Sequence, residues 1–174
     1  IMSIISRWQY EYAHIHRLLE GKPIIIPGDG TSVWTITHAS DFAKSFVDLI
    51  GNPASYNDVF HITSEKLYTW EQLTKILADA LGVKAKIIHI PTEVIIKHLP
   101  EMEGPLLGDK AWSAIFDNSK IKSISNNYSS TIGYEDVAED VVGYFKNHPE
   151  KQLISPEFEA MCDNLIAIYQ KAIN

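Results

Sequence analysis

The sequence predicts an α/β or α+β fold with several helices and few, short strands. Three observations carry this. Short apolar, β-branched runs alternate with longer segments of helical periodicity, as expected of stacked strand and helix layers. Gly or Pro stands at most of the changeovers, where positive φ or a fixed φ ends an element. The strand-like runs number four, too few for a complete doubly wound domain.

The elements follow in order. Ile4, Ile5, Trp8, Tyr12, Ile15, Leu18 and Leu19 recur at helical spacing, with Ser3 as a cap and Gly21 as a stop. Pro23 to Ile26 reads as a short buried strand and Pro27-Gly28-Asp29-Gly30 as a turn. Val33 to His38 reads as a second strand. Ser40 or Asp41 is placed to cap a helix that turns Phe42, Ala43, Phe46, Val47 and Ile50 inward and closes at Gly51 and Pro53. Val59 to Thr63 reads as a third strand. Thr69 and Gln72 have capping-box spacing ahead of a helix that buries Leu73, Ile76, Leu77, Ala80 and Leu81 and ends at Gly82. Ala85 to Ile90 is the fourth strand, stopped by Pro91.

From Pro91 to about Asn127 the periodicity weakens, with a short helix over Glu93 to His98 and a loop at Gly104-Pro105-Leu106-Leu107-Gly108. A helix over Tyr134 to Asn147 places Val137, Val141, Tyr144 and Phe145 on one face. Ser155-Pro156-Glu157 supplies a cap, a proline in the first turn and an acid at the positive helix end for a last helix that runs almost to Asn174. Its Phe158, Met161, Cys162, Leu165, Ile168 and Tyr169 lie at helical spacing, and the acids of the last two helices read as solvated faces.

Composition bounds the function. The chain has 174 residues, enough for a single domain over 1–174 with its own core. The net charge of −7 argues against a duplex-binding surface, which needs clustered Lys and Arg. A locally positive pocket for an anionic ligand is still compatible with it. One cysteine, Cys162, excludes an intrachain disulfide and fits a cytoplasmic location. No apolar run has the roughly 20 residues that cross a bilayer, and nothing resembles a signal peptide. The sequence opens Ile1-Met2 directly into a helix-like pattern, consistent with a segment of a longer protein or with an expression remnant.

The stretch Gly28-Asp29-Gly30-Thr31-Ser32-Val33-Trp34-Thr35-Ile36-Thr37-His38-Ala39-Ser40-Asp41-Phe42-Ala43 resembles a segment of the extended short-chain dehydrogenases/reductases, the family of nucleotide-sugar epimerases and dehydratases. Gly28, Asp29, Gly30, His38, Asp41 and Ala43 match that family's pattern. Trp34 and Thr35 stand where it has Arg and Asp. Phe60-His61-Ile62-Thr63, Tyr68-Thr69-Trp70-Glu71, Ala80-Leu81-Gly82, Phe116 to Lys122 and Tyr134-Glu135-Asp136 resemble its later segments in the same order. The resemblance implies the C-terminal substrate-binding lobe of an extended Rossmann-type dehydrogenase. It implies a sugar-nucleotide substrate and NAD or NADP held by an N-terminal cofactor domain. That domain's Gly-rich fingerprint is not in this chain, and none of the eight tyrosines has Lys four residues on, the spacing of the family's reactive pair. No catalytic residue, cofactor or metal is therefore expected of the segment itself.

Four residues are candidates for substrate contact: Trp34, His38, Lys110 and Trp112. Trp34 replaces an Arg fork that grips phosphate with a ring that stacks on a base or sugar, or packs in a core. His38 precedes a helix start, where it either fixes the junction or meets substrate. Lys110 and Trp112 join a cation to an aromatic in the longest unpatterned stretch. Gly28-Asp29-Gly30 fits a plain turn or a loop set against substrate. Asp117 and Lys120 fit a turn-orienting role, and His14 and His16, two apart on a helix, point different ways. A rival reading is a non-catalytic, RNA-associated member of the same family. The apolar face of the first helix suggests a homo-oligomer.

Overall fold

The computed structural model describes residues 11–173, so Ser3, Ile4, Ile5 and Trp8 of the expected first helix lie outside the described residues. Its centre is a parallel ribbon of β1 (Ile24–Pro27) and β4 (Ile87–Ile90), in register from Ile24 opposite Ile87 to Pro27 opposite Ile90. Alternation along a strand sends successive side chains to opposite faces. Ile24, Ile26 and Ile87 accordingly pack with Leu18 of α1 (Glu11–Leu19) and Ala78 of α3 (Trp70–Ala80). Ile25, Ile88 and Ile90 pack on the other face with Ile95 of α4 (Thr92–His98) and with Leu165 and Ile166 of α8 (Pro156–Ile173). A parallel ribbon covered on both faces explains why both strands read as unbroken apolar runs. Each isoleucine withdrawn from water contributes about 1.5–3 kcal/mol.

A second, antiparallel pair joins β2 (Val33–Thr35) to β3 (Leu67–Thr69). Thr69 and Gln72 form the expected capping box at the start of α3: the Thr69 hydroxyl accepts from the Gln72 amide at 3.1 Å, and the Gln72 side chain accepts from the Thr69 amide at 2.8 Å. α7 (Tyr134–Asn147) lies against α3, with Phe145 between Tyr12 and Tyr144. Between α4 and α7 the chain is built of single turns. It passes through α5 (Glu103–Pro105), a π-helical turn at Leu106–Lys110 and α6 (Ser119–Lys122), which accounts for the weak periodicity there.

Four expectations are corrected. Among the described residues Val59 to Thr63 joins no strand: the Thr63 amide goes to the Asn118 side chain at 3.1 Å and its carbonyl to the Tyr128 hydroxyl at 2.8 Å. The cap of α2 (Ala39–Leu49) is His38, not Ser40 or Asp41. α2 turns Asp41 and Ser45 inward and leaves Phe46, Val47 and Ile50 exposed, the reverse of the expected facing. Polar partners decide this, because the buried Asp41 carboxylate accepts from the Thr131 and Ile132 amides, both at 2.9 Å, and from the Ser129 hydroxyl at 2.8 Å. Lastly, Glu159 on α8 is buried rather than solvated. It pairs with Arg17 and Lys22, both at 2.9 Å, and so ties α8 to α1 and the turn after it.

Candidate functional site

β1 and β4 run parallel, so both release the chain at the same end. Ligands of open α/β sheets gather beyond the carboxyl ends of strands. There the Gly28 amide bonds the Ile90 carbonyl at 2.8 Å, and the two exits stay together as they leave the ribbon. Gly30 has φ of +75°, and a Cβ there would lie 2.9 Å from His89 Nε2 and 3.0 Å from an Ile26 methyl. Only glycine lets the loop pass this close to β4. Thr31 closes the turn by donating to Asp29 from its hydroxyl at 2.7 Å and its amide at 2.9 Å. These two bonds hold the Asp29 carboxyl below the usual range.

The unpatterned stretch folds back onto this loop. The Ala114 amide donates to the Val33 carbonyl at 2.8 Å, Val33 donates to the Ser113 hydroxyl at 2.9 Å, and Thr35 donates to the Ala114 carbonyl at 2.9 Å. The Lys110 carbonyl accepts from the Trp70 indole at 3.1 Å and from the Ser32 hydroxyl at 3.4 Å. Between the two stretches lies an open cleft of about 310 Å³. Gly28, Asp29, Thr31 and Ser32 form one wall, Ala111, Trp112 and Ser113 the other, and Pro27 and Thr92 complete the lining where β1 and β4 end.

Of the four sequence candidates, Trp112 is in the lining, and Trp34 and Lys110 lie beside it. Trp112 lines the cleft with a side chain 62% exposed, while its indole N–H donates to the Leu107 carbonyl at 2.5 Å. Trp34 lies beneath the wall rather than in it, packed on Trp70 with ring centroids 5.2 Å apart. Its buried indole N–H has no hydrogen-bond partner among the described residues. The Lys110 ammonium stands 5.7 Å from the centre of the Trp34 ring and pairs with Asp109 at 2.8 Å. His38 is not in the lining: its Nδ1 accepts from the Ser40 amide at 3.2 Å, which fixes the start of α2.

Of the other lining residues, Ser32 and Ser113 lie in the two stretches that the sequence singles out, without being named as contacts there, and Thr92 lies outside both. Thr92 follows the stop of a strand at Pro91, but its place in the cleft depends on the parallel pairing of β1 with β4, which the sequence does not show. Asp117 orients its turn by accepting from Ser119 at 2.6 and 2.8 Å.

Burial and the neighbouring Glu135 carboxylate push the Tyr68 phenol up to about 12, and burial pushes Tyr128 up to about 12 as well. Neither is the acidified phenol that proton transfer to a carbonyl needs. Among the described residues no group of three His, Cys, Asp or Glu side chains is placed to hold a metal, and no helix is long and apolar enough to cross a membrane.

The chain is similar in fold to two solved enzymes. One is a UDP-glucuronic acid 4-epimerase from Bacillus cereus, solved with NAD. It is 21% identical, with a TM-score of 0.56 over 79% of this chain and 38% of that one. The other is a UDP-glucose 4-epimerase from Thermotoga maritima, solved with UDP-glucose. It is 21% identical, with a TM-score of 0.58 over 78% and 38%. Among curated proteins, it is 24% identical to the 2'-dehydrokanamycin reductase of Streptomyces kanamyceticus over 68% of this chain and 34% of that protein. It is 35% identical to chloroplast stem-loop binding protein of 41 kDa b from Arabidopsis thaliana over 42% and 20%. The chain thus spans between about a fifth and two fifths of the proteins it matches. No protein-family profile matches it. Its fold is that of the matched part of these two UDP-sugar 4-epimerases.

Proposed function

We propose that this chain is the substrate-binding part of an NAD- or NADP-dependent oxidoreductase of the nucleotide-sugar epimerase/dehydratase kind. The convergence of the Gly28–Ser32 loop and the Ala111–Ser113 strap on one cleft at the carboxyl ends of β1 and β4 carries this reading. The cleft offers what a sugar nucleotide needs. Trp112 supplies an exposed ring face for a sugar or base. Thr31, Ser32, Thr92 and Ser113 supply hydroxyls at the walls. Lys110, next in the chain to the wall residue Ala111, supplies a cation near the Trp34 ring, which stands where the resembled family has an arginine. His38 acts at one remove by fixing the junction between the loop and α2.

The cofactor and the reactive tyrosine–lysine pair belong to a separate dinucleotide-binding domain of the cytoplasmic parent enzyme. The cofactor supplies the hydride chemistry, and this part orients the sugar against it. The RNA-associated alternative is weaker. The stem-loop binding relative matches less than half of the chain, and a net charge of −7 opposes phosphate-backbone contacts.

Titrating UDP-glucose into the chain while following tryptophan emission tests the reading. Saturable quenching with a Kd in the range of about 0.1–1 mM is expected, weakened at least about tenfold by Trp112→Ala, a loss of about 1.4 kcal/mol. NAD should give no saturable signal. Equal titrations for the two proteins, or none for either, would remove the cleft from consideration.

A further inference from the structure

We propose that the sugar held in this cleft carries a protonated amine, received by the Asp29 carboxylate on one wall and by the Trp112 ring face on the other. The inference deepens the reading above, on which it rests for the presence of a sugar. It makes Asp29 the residue that selects the charge of the substrate.

Asp29 is held at the wall by the chain on either side of it. Gly28 and Gly30 flank it with φ of +65° and +75°. Gly30 is wedged against His89 and Ile26, where a Cβ does not fit. That close approach keeps the turn, and Asp29 with it, in one place. The side chain is fixed as well. Its Oδ1 takes the Thr31 amide at 2.9 Å and the Thr31 hydroxyl at 2.7 Å, and its Oδ2 takes no hydrogen bond from another described residue. The bonds from Thr31 hold the carboxyl below its usual range, and the His89 imidazole behind the turn acts in the same direction. His89 is itself engaged by Glu71 at 3.0 Å, and Glu71 also pairs with Lys75 at 2.5 Å. One carboxylate oxygen is thus charged, oriented and exposed at the wall.

No cation in the lining answers that charge. Among the described residues Asp29 is the only ionisable side chain that lines the cleft. Lys110 lies outside the lining, where it pairs with Asp109 at 2.8 Å and stands 5.7 Å from the centre of the Trp34 ring. Walls that carry a single negative charge repel an anionic group placed between them and attract a cation. Trp112 acts in the same sense from the opposite wall. Its indole N–H is tied to the Leu107 carbonyl, which sets the ring, and the residue stays 62% exposed. An indole face attracts an ammonium group through its quadrupole. Carboxylate and ring are independent features that suit one chemical group. Size decides which part of the ligand bears it. A cleft of about 310 Å³ is at the small end of ligand pockets, with room for a sugar ring rather than a whole sugar nucleotide. The diphosphate therefore lies beyond these walls, away from Asp29.

Titrating the chain with ligands that differ in the charge of the sugar tests it. The probes are UDP-glucose, UDP-sugars with a free amine at C2 or at C4, and UDP-glucuronic acid. Tryptophan emission is followed in EDTA at about pH 7, where a sugar amine is largely protonated. At least one amine-bearing sugar should bind about fivefold more tightly than UDP-glucose, and UDP-glucuronic acid about fivefold less tightly, the range of one partly exposed ion pair. Asp29→Asn keeps an oxygen for Thr31 and removes the charge, so the spread among ligands should shrink to within about twofold. Raising the salt from about 0.05 M to about 0.5 M should narrow the spread of the parent chain in the same way. Binding of UDP-glucose with no preference among the probes overturns the inference and leaves the proposed function standing. A preference that persists in Asp29→Asn does the same. A gain in UDP-glucose affinity on adding magnesium that disappears in Asp29→Asn also overturns it, because the carboxylate then meets a metal-bridged diphosphate. Absence of a saturable signal from every probe removes the inference together with the reading it rests on.

Discussion

α7 and α2 carry comparable apolar stripes and put them in opposite places. α7 buries Ala138, Val142 and Phe145, the last packed with Tyr12 and Leu77. α2 buries an aspartate and a serine and leaves Phe46, Val47 and Ile50 in the open. Both helical periods are legible in the sequence, although of the residues read on the α7 face Phe145 is buried and Val137, Val141 and Tyr144 are half-buried. The period does not say whether the cover comes from the same chain. For α2 a stronger local claim prevails: a buried carboxylate with five hydrogen-bond donors around it cannot be turned outward without leaving amides of Thr131 and Ile132 unpaired.

The comparison can be broken first at α7. Phe145→Ala should destabilise the chain by about 4 kcal/mol, the cost of emptying a filled aromatic site, measured by urea unfolding. Next comes the polar side of α2. Asp41→Ala should cost about 3 kcal/mol, since it strands two amides and a hydroxyl. Burial alone would raise the pKa of Asp41, but the bonds from Ile132, Ser129, Lys44 and Thr131 outweigh it and bring the carboxyl from 3.8 to about 2. A depressed folded pKa gives stability that is complete above the unfolded value and lost as pH falls toward the folded one. Unfolding free energy should therefore drop by about 2 kcal/mol between pH 5 and pH 2 in the parent, with that portion of the drop missing in Asp41→Ala. The smallest effect belongs to the apolar side of α2. Phe46→Ala should cost less than about 1 kcal/mol in this chain, although the residue type and substitution match Phe145→Ala. A loss as large as that of Phe145 would show α2 to be covered already.

Much of the fold was legible, and the reasons are local. The capping box at Thr69 and Gln72, the Ser155-Pro156-Glu157 start of α8 and the stop at Pro91 are chemistry between near neighbours. β3, three residues long, was missed because no period shows in three residues. Residues 59–63 read as a strand because their pattern is a strand's, while the pairing that defines one depends on residues elsewhere. The burial of Glu159 could not be read from α8, since its partners, Arg17 and Lys22, lie far back in the chain. The cleft was half legible. The glycine turn and the unpatterned strap stood out separately, but their meeting depends on the β1–β4 register and on hydrogen bonds between residues about eighty positions apart.

The strap at Lys110–Ala114 is tied down mainly through its backbone. The Lys110 carbonyl receives Trp70 and Ser32, the Ala114 amide reaches Val33, and the Ala114 carbonyl receives Thr35. Backbone groups are common to all residues except proline at nitrogen, so those ties survive exchanges of side chain at 110, 111 and 114. The scaffold of the cleft and its chemical lining can therefore drift apart over evolutionary time, and a library randomised at 110 and 111 would sample new ligand preferences on a frame whose backbone ties are kept.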